Sequence, residues 1–267
     1  MIEIFDNIRK LYAFHGPCTE LQSHVEFFSE TSPDAMNTFI GEMPFTVKMF
    51  PSYTPTIWLN LGAPYQLRHG NQLSTVDAQS DVLILRSGIV ERRNLPTDNI
   101  FTVKFNPGGF EAIFGIPQTT IGHGIVDVAQ LIPASILRKI KRGPDFSSRR
   151  QHMEQYLLDR WLKQRSTAHT LVTIQQTIDL FTTTGMQLNN QQLAVRQHLT
   201  EKTFYRYCTQ VIGASPKQYF ATLRARNALT AYIDHRTHFD HTRFGYYDLS
   251  HFYKDIARFT GRKISER

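Results

Sequence analysis

The first hundred or so residues alternate between hydrophobic and polar positions. Phe45, Val47 and Met49 have polar neighbours, and the segments 57–61 and 101–105 follow the same alternation. A period of two, interrupted by turns rich in Pro and Gly, is typical of half-buried antiparallel strands. Several short strands at this spacing predict a small β-barrel or sandwich.

Beyond Gly109 the hydrophobic residues recur at helical spacing. The segments 128–140 and 149–164 each predict a helix, the first interrupted by Pro133. In the second helix, one apolar stripe contains Met153, Leu157 and Trp161. Such a stripe packs on its own domain or pairs with a second copy of the chain, and the sequence leaves both alternatives open.

Charge is distributed unequally along the chain. Residues 166–267 contain 13 Lys and Arg against 7 Asp and Glu, a net +6, whereas residues 1–165 contain 17 against 16, a net +1. The short polar segment 165–169 is typical of a linker, and the pattern after it is helical. We therefore predict a β-rich domain over 1–165 and a helical domain over 166–267. Concentrated positive charge favours a polyanionic partner, although a solvated basic surface gives the same count.

Composition places limits on the class of protein. Hydrophobic residues make up 41% and charged residues 20% of the 267 residues, as in soluble globular proteins. No apolar run approaches the roughly 20 residues that span a membrane, and the N-terminal sequence lacks the pattern of a secretory signal. Cys18 and Cys208 do not make a disulfide framework. A cytoplasmic protein is expected.

A repeat in the helical domain carries the functional signal. Residues 204–206 read Phe-Tyr-Arg and precede Gly213, and 48 residues later residues 252–254 read Phe-Tyr-Lys and precede Gly261. The repeat predicts two helices of similar length, each of which ends near a glycine.

Each helix of the repeat has a predicted start. Thr200 and Asp248 are good N-caps, because a side-chain oxygen there accepts a hydrogen bond from a free backbone N–H. Before Thr200, residues 191–196 predict a short helix and residues 197–199 a bend. A short helix, a tight turn and a capped helix form a helix-turn-helix, whose second helix enters the major groove of DNA. A helix that starts at residues 215–216 joins the two units.

Individual residues of the two units and of the connecting helix form a further pattern. In the first unit these are Leu193-Ala194, Leu199-Thr200, Phe204, Arg206, Gly213, Ser215-Pro216, Tyr219, Arg224 and Ala228, and in the second Gly245-Tyr246, Asp248, Ser250-His251-Phe252, Lys254 and Gly261. This pattern resembles that of the AraC/XylS family of transcription regulators. The segments FPSYTPTIWLNLGAPY and FTVKFNPGGFEAIFGIP resemble the cupin-like domain that precedes the reader in part of that family.

The resemblance implies a set of DNA-contacting residues. They are Lys202, Thr203, Tyr205 and Arg206 on the first helix and Ser250, His251, Tyr253 and Lys254 on the second. Arg and Lys donate to guanine O6 and N7, and Tyr or Thr bonds phosphate or packs on a thymine methyl.

The second unit departs from the family pattern. Asp240 and His241 occupy positions where an aliphatic residue and an alanine are usual, and both are poor core residues. A shift that turns Phe239 inward, or a loosely formed supporting helix, is expected there. We therefore expect the second unit to contact mainly the DNA backbone.

Other candidate sites have simpler interpretations. His235, His238 and His241 recur at every third residue, but a polar loop or helix edge fits them better than a zinc site, which usually has four ligands. The segment 106–109 lacks the Lys-Ser/Thr of a phosphate loop and is predicted as a turn. Arg68, Arg86, Arg92 and Arg93 would suit a pocket for an acidic effector, although surface charges are the simpler interpretation.

Together these patterns predict an α+β protein, with an N-terminal cupin-like barrel and following helices, then an all-α domain of two helix-turn-helix units. The predicted function is that of a bacterial, sequence-specific DNA-binding transcription regulator without a cofactor. Its partners would be double-stranded DNA, a small-molecule effector and a second copy of the chain. A cupin-type metalloenzyme with a helical interaction module is the alternative, which bound iron, manganese or zinc would favour. A constitutive DNA-binding protein with a purely dimerising N-terminal domain is a second alternative.

Overall fold

The computed structural model describes residues 10–95, 97–164, 168–235 and 238–263. The described residues fall into two compact units. One lies within Met1–Met49 and Thr54–Thr167, and the other within Phe50–Tyr53 and Ala168–Arg267.

The first unit contains two antiparallel sheets. The larger sheet has the spatial order β1 (Tyr12–His15), β2 (Val25–Thr31), β9 (Ile100–Phe105), β4 (Pro55–Asn60), β7 (Val82–Leu85), β10 (Ile125–Asp127). The smaller sheet has the order β3 (Phe45–Met49), β8 (Val90–Asn94), β5 (Tyr65–His69), β6 (Gln72–Val76). Double-sheet architectures of this kind include the jelly rolls and cupins, so the predicted β-rich fold is confirmed.

The central strands β4 and β9 are buried along their whole length. The prediction of half-buried strands is therefore wrong for these two. One face carries apolar residues such as Ile57 and its cross-strand partner Val103, which belong to the main core of the unit. On the opposite face lie Trp58 and its partner Thr102, which are also buried. Both faces of the sheet are covered at β4 and β9, so these two strands lack the exposed polar row that a strand with one solvated face has.

Four α-helices accompany the sheets among the described residues: α1 (Pro33–Phe39), α2 (Gly109–Phe114), α3 (Ala134–Lys141) and α4 (Phe146–Gln164). The helix predicted over 128–140 is instead a 3₁₀ turn, Val128–Gln130, followed by α3. Pro133 is the N-cap of α3, because a proline cannot donate a hydrogen bond inside a continuous helix. Met153 and Leu157 of α4 are fully buried in the core of this unit, so the apolar stripe packs on its own domain.

The four arginines proposed as surface charges do not share one environment. Arg68 and Arg93 are exposed and Arg86 is half-buried, whereas Arg92 retains only 2% of its accessible surface. The surface prediction is therefore wrong for Arg92. Successive residues of β8 point to opposite faces, so Arg92 turns inward where its neighbour Arg93 turns outward.

The second unit is helical. Its helices are α5 (His169–Thr183), α6 (Asn190–Arg196), α7 (Glu201–Val211), α8 (Pro216–Asp234) and α9 (Leu249–Thr260), with a 3₁₀ turn at His241–Phe244. His169 begins α5, so the predicted linker extends too far at that residue, while residues 165–167 lie outside the described residues. In the described ranges, no helix combines the length and apolar character that a membrane span requires.

Candidate nucleic-acid interface

The first helix-turn-helix is formed by α6, a bend and α7. Asn189 caps α6 in a capping box: its side chain accepts from the backbone N–H of Gln192, and the Gln192 side chain accepts from that of Asn189, both at 2.9 Å. Thr200 Oγ1 accepts from the backbone N–H of Thr203 at 3.2 Å. Each cap satisfies a backbone donor that the helix leaves free. The start of α7 after Thr200 is as predicted, and α6 begins one residue earlier than the predicted 191–196.

One stripe of α7 is buried. Phe204, Cys208 and Val211 are at most 1% exposed, and Leu193 and Ala194 of α6 are equally buried. Burial raises the pKa of the Cys208 thiol to about 12, so this side chain is a neutral core group. Because this stripe is buried, only the remaining faces of α7 are accessible to a binding partner.

The predicted DNA contacts of α7 lie outside this stripe. Lys202, Tyr205 and Arg206 are exposed, Tyr205 by 54%. Thr203 is half-buried, and its hydroxyl accepts a hydrogen bond from Thr200 Oγ1 at 3.0 Å. Thr203 therefore contributes to the cap, while the other three present their polar ends to solvent.

The support of the second unit is shorter. In the described stretch 238–248, the element that supports α9 is the 3₁₀ turn His241–Phe244, and Asp240 is its N-cap. Asp240 Oδ1 accepts from the backbone N–H of Thr242 at 3.0 Å and from its hydroxyl at 2.6 Å, and these bonds lower the pKa of the carboxyl. Asp240 is exposed and His241 half-buried. Neither side chain enters a core, so the cost of burying two polar residues, which was expected from their positions in the sequence, does not arise.

Aromatic side chains hold α9 in place. Phe252 is fully buried, and its ring centroid lies 4.7 Å from that of Phe239, 5.4 Å from Tyr232 and 5.5 Å from Tyr246. Phe239 is half-buried and packs on this cluster, as expected, but it precedes the 3₁₀ turn and does not belong to a shifted supporting helix. Large rings at these separations pack favourably beyond the area that they bury. We conclude that α9 is anchored although its supporting helix is a single turn.

The predicted contact residues of α9 differ in exposure. Ser250, His251 and Lys254 are exposed, whereas Tyr253 is half-buried with its ring centroid 5.3 Å from that of Phe252. Tyr253 thus belongs partly to the aromatic cluster. Tyr247, which no sequence pattern singled out, is 91% exposed in the turn before α9.

His251 also has partners within its own unit. Its backbone N–H donates to Asp248 Oδ1, the helix cap, at 2.7 Å. Its ring centroid lies 5.1 Å from that of Tyr246, and its Nε2 lies 3.9 Å from Asp255 Oδ2. A nearby carboxylate reduces the attraction of this side chain for phosphate. Ser250 and Lys254 therefore remain the main predicted contacts of α9.

The two helix-turn-helix units are tied together through α8 and the loop before α6. Arg224 Nη2 donates to the Met186 carbonyl at 2.8 Å, and the guanidinium carbon lies 5.8 Å from the ring centroids of Phe181 and Tyr246. Gly245 has a φ of +69°, and a Cβ there would lie 2.8 Å from the Met186 oxygen, so this approach requires glycine. In the sequence, Arg224 is identified only as a residue of the family pattern. No neighbouring residue indicates that it contacts Met186.

The histidines of the proposed zinc alternative are not gathered. His235 ends α8 and is exposed, and His238 is exposed in the following loop, as predicted for a polar loop or helix edge. In the part of the chain that the structure describes, no three His, Cys, Asp or Glu side chains are placed to hold one metal ion.

Comparison with known families agrees with this geometry. Residues 193–266 match the family described as "Helix-turn-helix domain". The match begins in α6 and includes α7, α8 and α9. The protein is therefore a DNA-binding transcription regulator. Its helix-turn-helix domain is of the AraC type.

Solved structures of similar fold are distant in sequence. ToxT from Vibrio cholerae O395 is 9% identical with a TM-score of 0.48, covering 83% of this chain and 94% of that chain. ToxT from strain SCE256 with bound unsaturated fatty acid is 10% identical, with a TM-score of 0.45 and coverage of 83% and 92%. The AraC-like transcriptional activator CuxR is 9% identical, with a TM-score of 0.29 and coverage of 84% and 88%. The sequences of curated proteins give no match.

Proposed function

We propose that the protein reads a specific DNA sequence mainly through α7. The observation that carries this proposal is the row of exposed Lys202, Tyr205 and Arg206 opposite a fully buried stripe. A guanidinium can donate two parallel hydrogen bonds to guanine, and an ammonium or phenol can hold phosphate or a base edge. A rigid helix that presents such groups side by side suits base readout in the major groove.

The second helix is proposed to bind mainly the DNA backbone. Ser250 and Lys254 are its exposed predicted contacts, while Tyr253 packs on the aromatic cluster and His251 faces Asp255. Serine and lysine bind phosphate oxygens without regard to sequence. The two helices would then differ in specificity rather than in whether they touch DNA.

Binding-site selection with the full-length protein tests this proposal. Duplexes are first selected from random DNA, and two double variants are then compared on the selected duplex and on a scrambled one. Lys202→Ala/Arg206→Ala should abolish the preference for the selected duplex, with Arg206 alone accounting for about 1–3 kcal/mol. Ser250→Ala/Lys254→Ala should weaken binding to both duplexes equally.

Arg258→Ala is the matched control. It removes one positive charge from the last turn of α9, where the side chain is 83% exposed. It should leave the preference unchanged. If the Ser250→Ala/Lys254→Ala variant loses its preference for the selected duplex as completely as Lys202→Ala/Arg206→Ala does, that result would show that α9 reads bases too.

We also propose that residues 1–165 are a sensor and dimerisation domain, and that residues 166–267 are the reader that it controls. The net charges of +1 and +6 support this division of roles. A small-molecule effector would act by binding one conformational state more tightly than another. The proposed compartment is the cytoplasm, where such a protein meets its DNA. DNA affinity and oligomeric state of the full chain, measured with and without an effector, test this second proposal.

A further inference from the structure

Arg92 lies between the two sheets of the first unit. It sits in the middle of β8, where register pairs it with Val47 of β3 and Leu67 of β5. Its side chain is buried, and its guanidinium carbon lies 5.0 Å from the Trp58 ring centroid and 5.8 Å from that of Tyr65. A permanently charged group thus occupies the interior of a sandwich, where charges are costly unless they are paired.

Three other buried charged side chains of this unit, Lys104, Asp81 and Glu30, have charged partners, whereas buried Asp98 forms no ion pair within 4.0 Å among the described residues. Lys104 pairs with Glu26 at 2.8 Å, and Asp81 pairs with Lys141 at 2.7 Å. Glu30 pairs with Arg149. Among the described residues, Arg92 forms no such pair within 4.0 Å.

Asp98 is an acidic residue whose pKa is influenced by the charge of Arg92. Burial raises the pKa of Asp98 to about 6, and the charge of Arg92 opposes this rise. One oxygen of the Asp98 carboxylate accepts from the backbone N–H of Leu95 at 2.8 Å. The side chain of Asn94, which accepts from Arg92 Nε, also lowers the pKa of Asp98 and links the two charged residues indirectly. Arg92 is therefore influenced by Asp98 without being neutralised through direct contact.

Part of the hydrogen-bonding capacity of Arg92 is unused. Its Nε donates to Asn94 Oδ1 at 3.1 Å and its Nη2 to the Tyr12 hydroxyl at 2.8 Å. Nη1 is buried with no partner among the described residues, and the same holds for the Tyr65 hydroxyl. A buried charged donor without a partner is strongly unfavourable, so such atoms usually face a water or a ligand.

The surface opposite Arg92 combines hydroxyl groups with apolar side chains, since Trp58 and Tyr65 belong to a buried hydrophobic cluster. Cross-strand pairing places Thr102 beside Trp58 and Ser29 beside Thr102, and all three are buried. Thr56 is two residues from Trp58 on the same face, and its hydroxyl has no partner within the described chain. Hydroxyls around an indole ring suit a small organic molecule better than they suit a closed apolar core.

We propose that Arg92 and Tyr65 bind the carboxylate of a small organic acid between the two sheets, with Trp58 against its organic part. The Arg92 Nη1 N–H groups and the Tyr65 hydroxyl would donate to the carboxylate oxygens, which pairs the buried charge. This inference rests on the proposed sensor role of the N-terminal domain and names the site and the ligand class.

Ligand binding is measured by fluorescence of Trp58 in a Trp161→Phe background, which leaves one tryptophan as the reporter. The probes are acetate, hexanoate and benzoate, each compared with its amide, which has the same shape without the charge. At least one acid should change the fluorescence saturably while its amide does not. Arg92→Lys should lower the affinity for that acid at least about tenfold, because lysine lacks the planar guanidinium group of arginine.

Two further variants keep the test decisive. Tyr65→Phe removes only a hydroxyl and should lower the affinity for the acid several-fold. It replaces Arg92→Lys as the test if Arg92→Lys does not fold. Arg93→Gln removes the same charge from the exposed side of the same strand and should bind the acid unchanged. Absence of saturable binding by all three acids, or equal affinity in Tyr65→Phe and the parent, would overturn the site and leave a water at Nη1 as the alternative.

DNA binding separates this proposal from the broader one. If the acid binds as expected but leaves DNA affinity and oligomeric state unchanged, the site is confirmed and the sensor role fails. If DNA affinity responds to an acid equally in the parent and in Tyr65→Phe, the sensor role holds and the site is wrong.

Discussion

Removal of Arg224 should loosen the second unit specifically. The side chain makes one hydrogen bond to the Met186 carbonyl and lies over the rings of Phe181 and Tyr246. A hydrogen bond from a charged group contributes about 1.5–3 kcal/mol and each cation–π contact about 0.5–1 kcal/mol. Because Arg224 Nε has no partner among the described residues, we take the lower part of these ranges. Arg224→Met, which keeps an unbranched chain, should therefore lower the free energy of unfolding of this unit by about 2–3 kcal/mol.

Two optical probes distinguish the units in one denaturant titration. Both tryptophans, Trp58 and Trp161, belong to the first unit, so fluorescence follows that unit. Far-UV circular dichroism follows the helices, most of which belong to the second unit. Arg224→Met should shift the dichroism transition to lower denaturant and leave the fluorescence transition in place.

The matched variants are Arg224→Lys and Lys217→Met. Arg224→Lys keeps the charge without the fork and should recover less than half of the loss. Lys217→Met alters an exposed position of the same helix and should change stability by less than about 0.5 kcal/mol. A loss of that small size in Arg224→Met, or an equal shift of both probes, would refute the assignment of Arg224 as the tie between the two helix-turn-helix units.

Three further predictions concern single residues. His198 has a φ of +55° in the bend before α7, so His198→Gly should raise the free energy of unfolding of the second unit by about 0.5–1 kcal/mol in the same dichroism titration; a loss of stability would contradict this. Asp98 has a pKa of about 6 against an ordinary 3.8, so the folded state holds a proton that the unfolded state releases in that window, and stability should fall by about 1–2 kcal/mol as pH rises from about 4 to 6. Asp98→Asn should flatten this dependence, as followed by fluorescence-detected unfolding at several pH values, and an unchanged slope would show that other groups cause it. Native alkylation at about pH 9, read by peptide mass spectrometry, should modify half-buried Cys18 well before Cys208, because burial raises the pKa of Cys208 to about 12; equal rates would exclude a buried, neutral Cys208.

Helix starts in the second unit were predictable because their signals are local. Thr200, Ser215 and Asp248 each accept a hydrogen bond from the backbone N–H three residues later, and the residue types that do this are few. The glycines after the recognition helices are equally local, since Gly213 and Gly261 adopt the positive φ that ends a helix. The spacing between these signals was sufficient to place both helix-turn-helix units.

Arg92 could not be placed in the same way. Two arginines follow each other in β8, and the face that each occupies depends on pairing with strands far away in the sequence. A register shift of one residue would bury Arg93 and expose Arg92. The contact of Arg224 with Met186, 38 residues away, is similarly non-local. Composition and the periodicity of hydrophobic residues therefore predict helices and strands, while the roles of individual charged residues depend on tertiary contacts.

The second helix-turn-helix shows why a weak supporting helix does not imply a loose recognition helix. Asp240 and His241 would loosen a supporting helix if both entered its core, as expected from the sequence. In the structure Asp240 caps an exposed turn, and the Phe252 ring packs against Phe239, Tyr232 and Tyr246 instead. Burial of several aromatic rings contributes more than one short helix of small residues would. The unequal specificity that we propose for the two recognition helices must therefore come from the side chains that α9 presents, and not from greater mobility of α9.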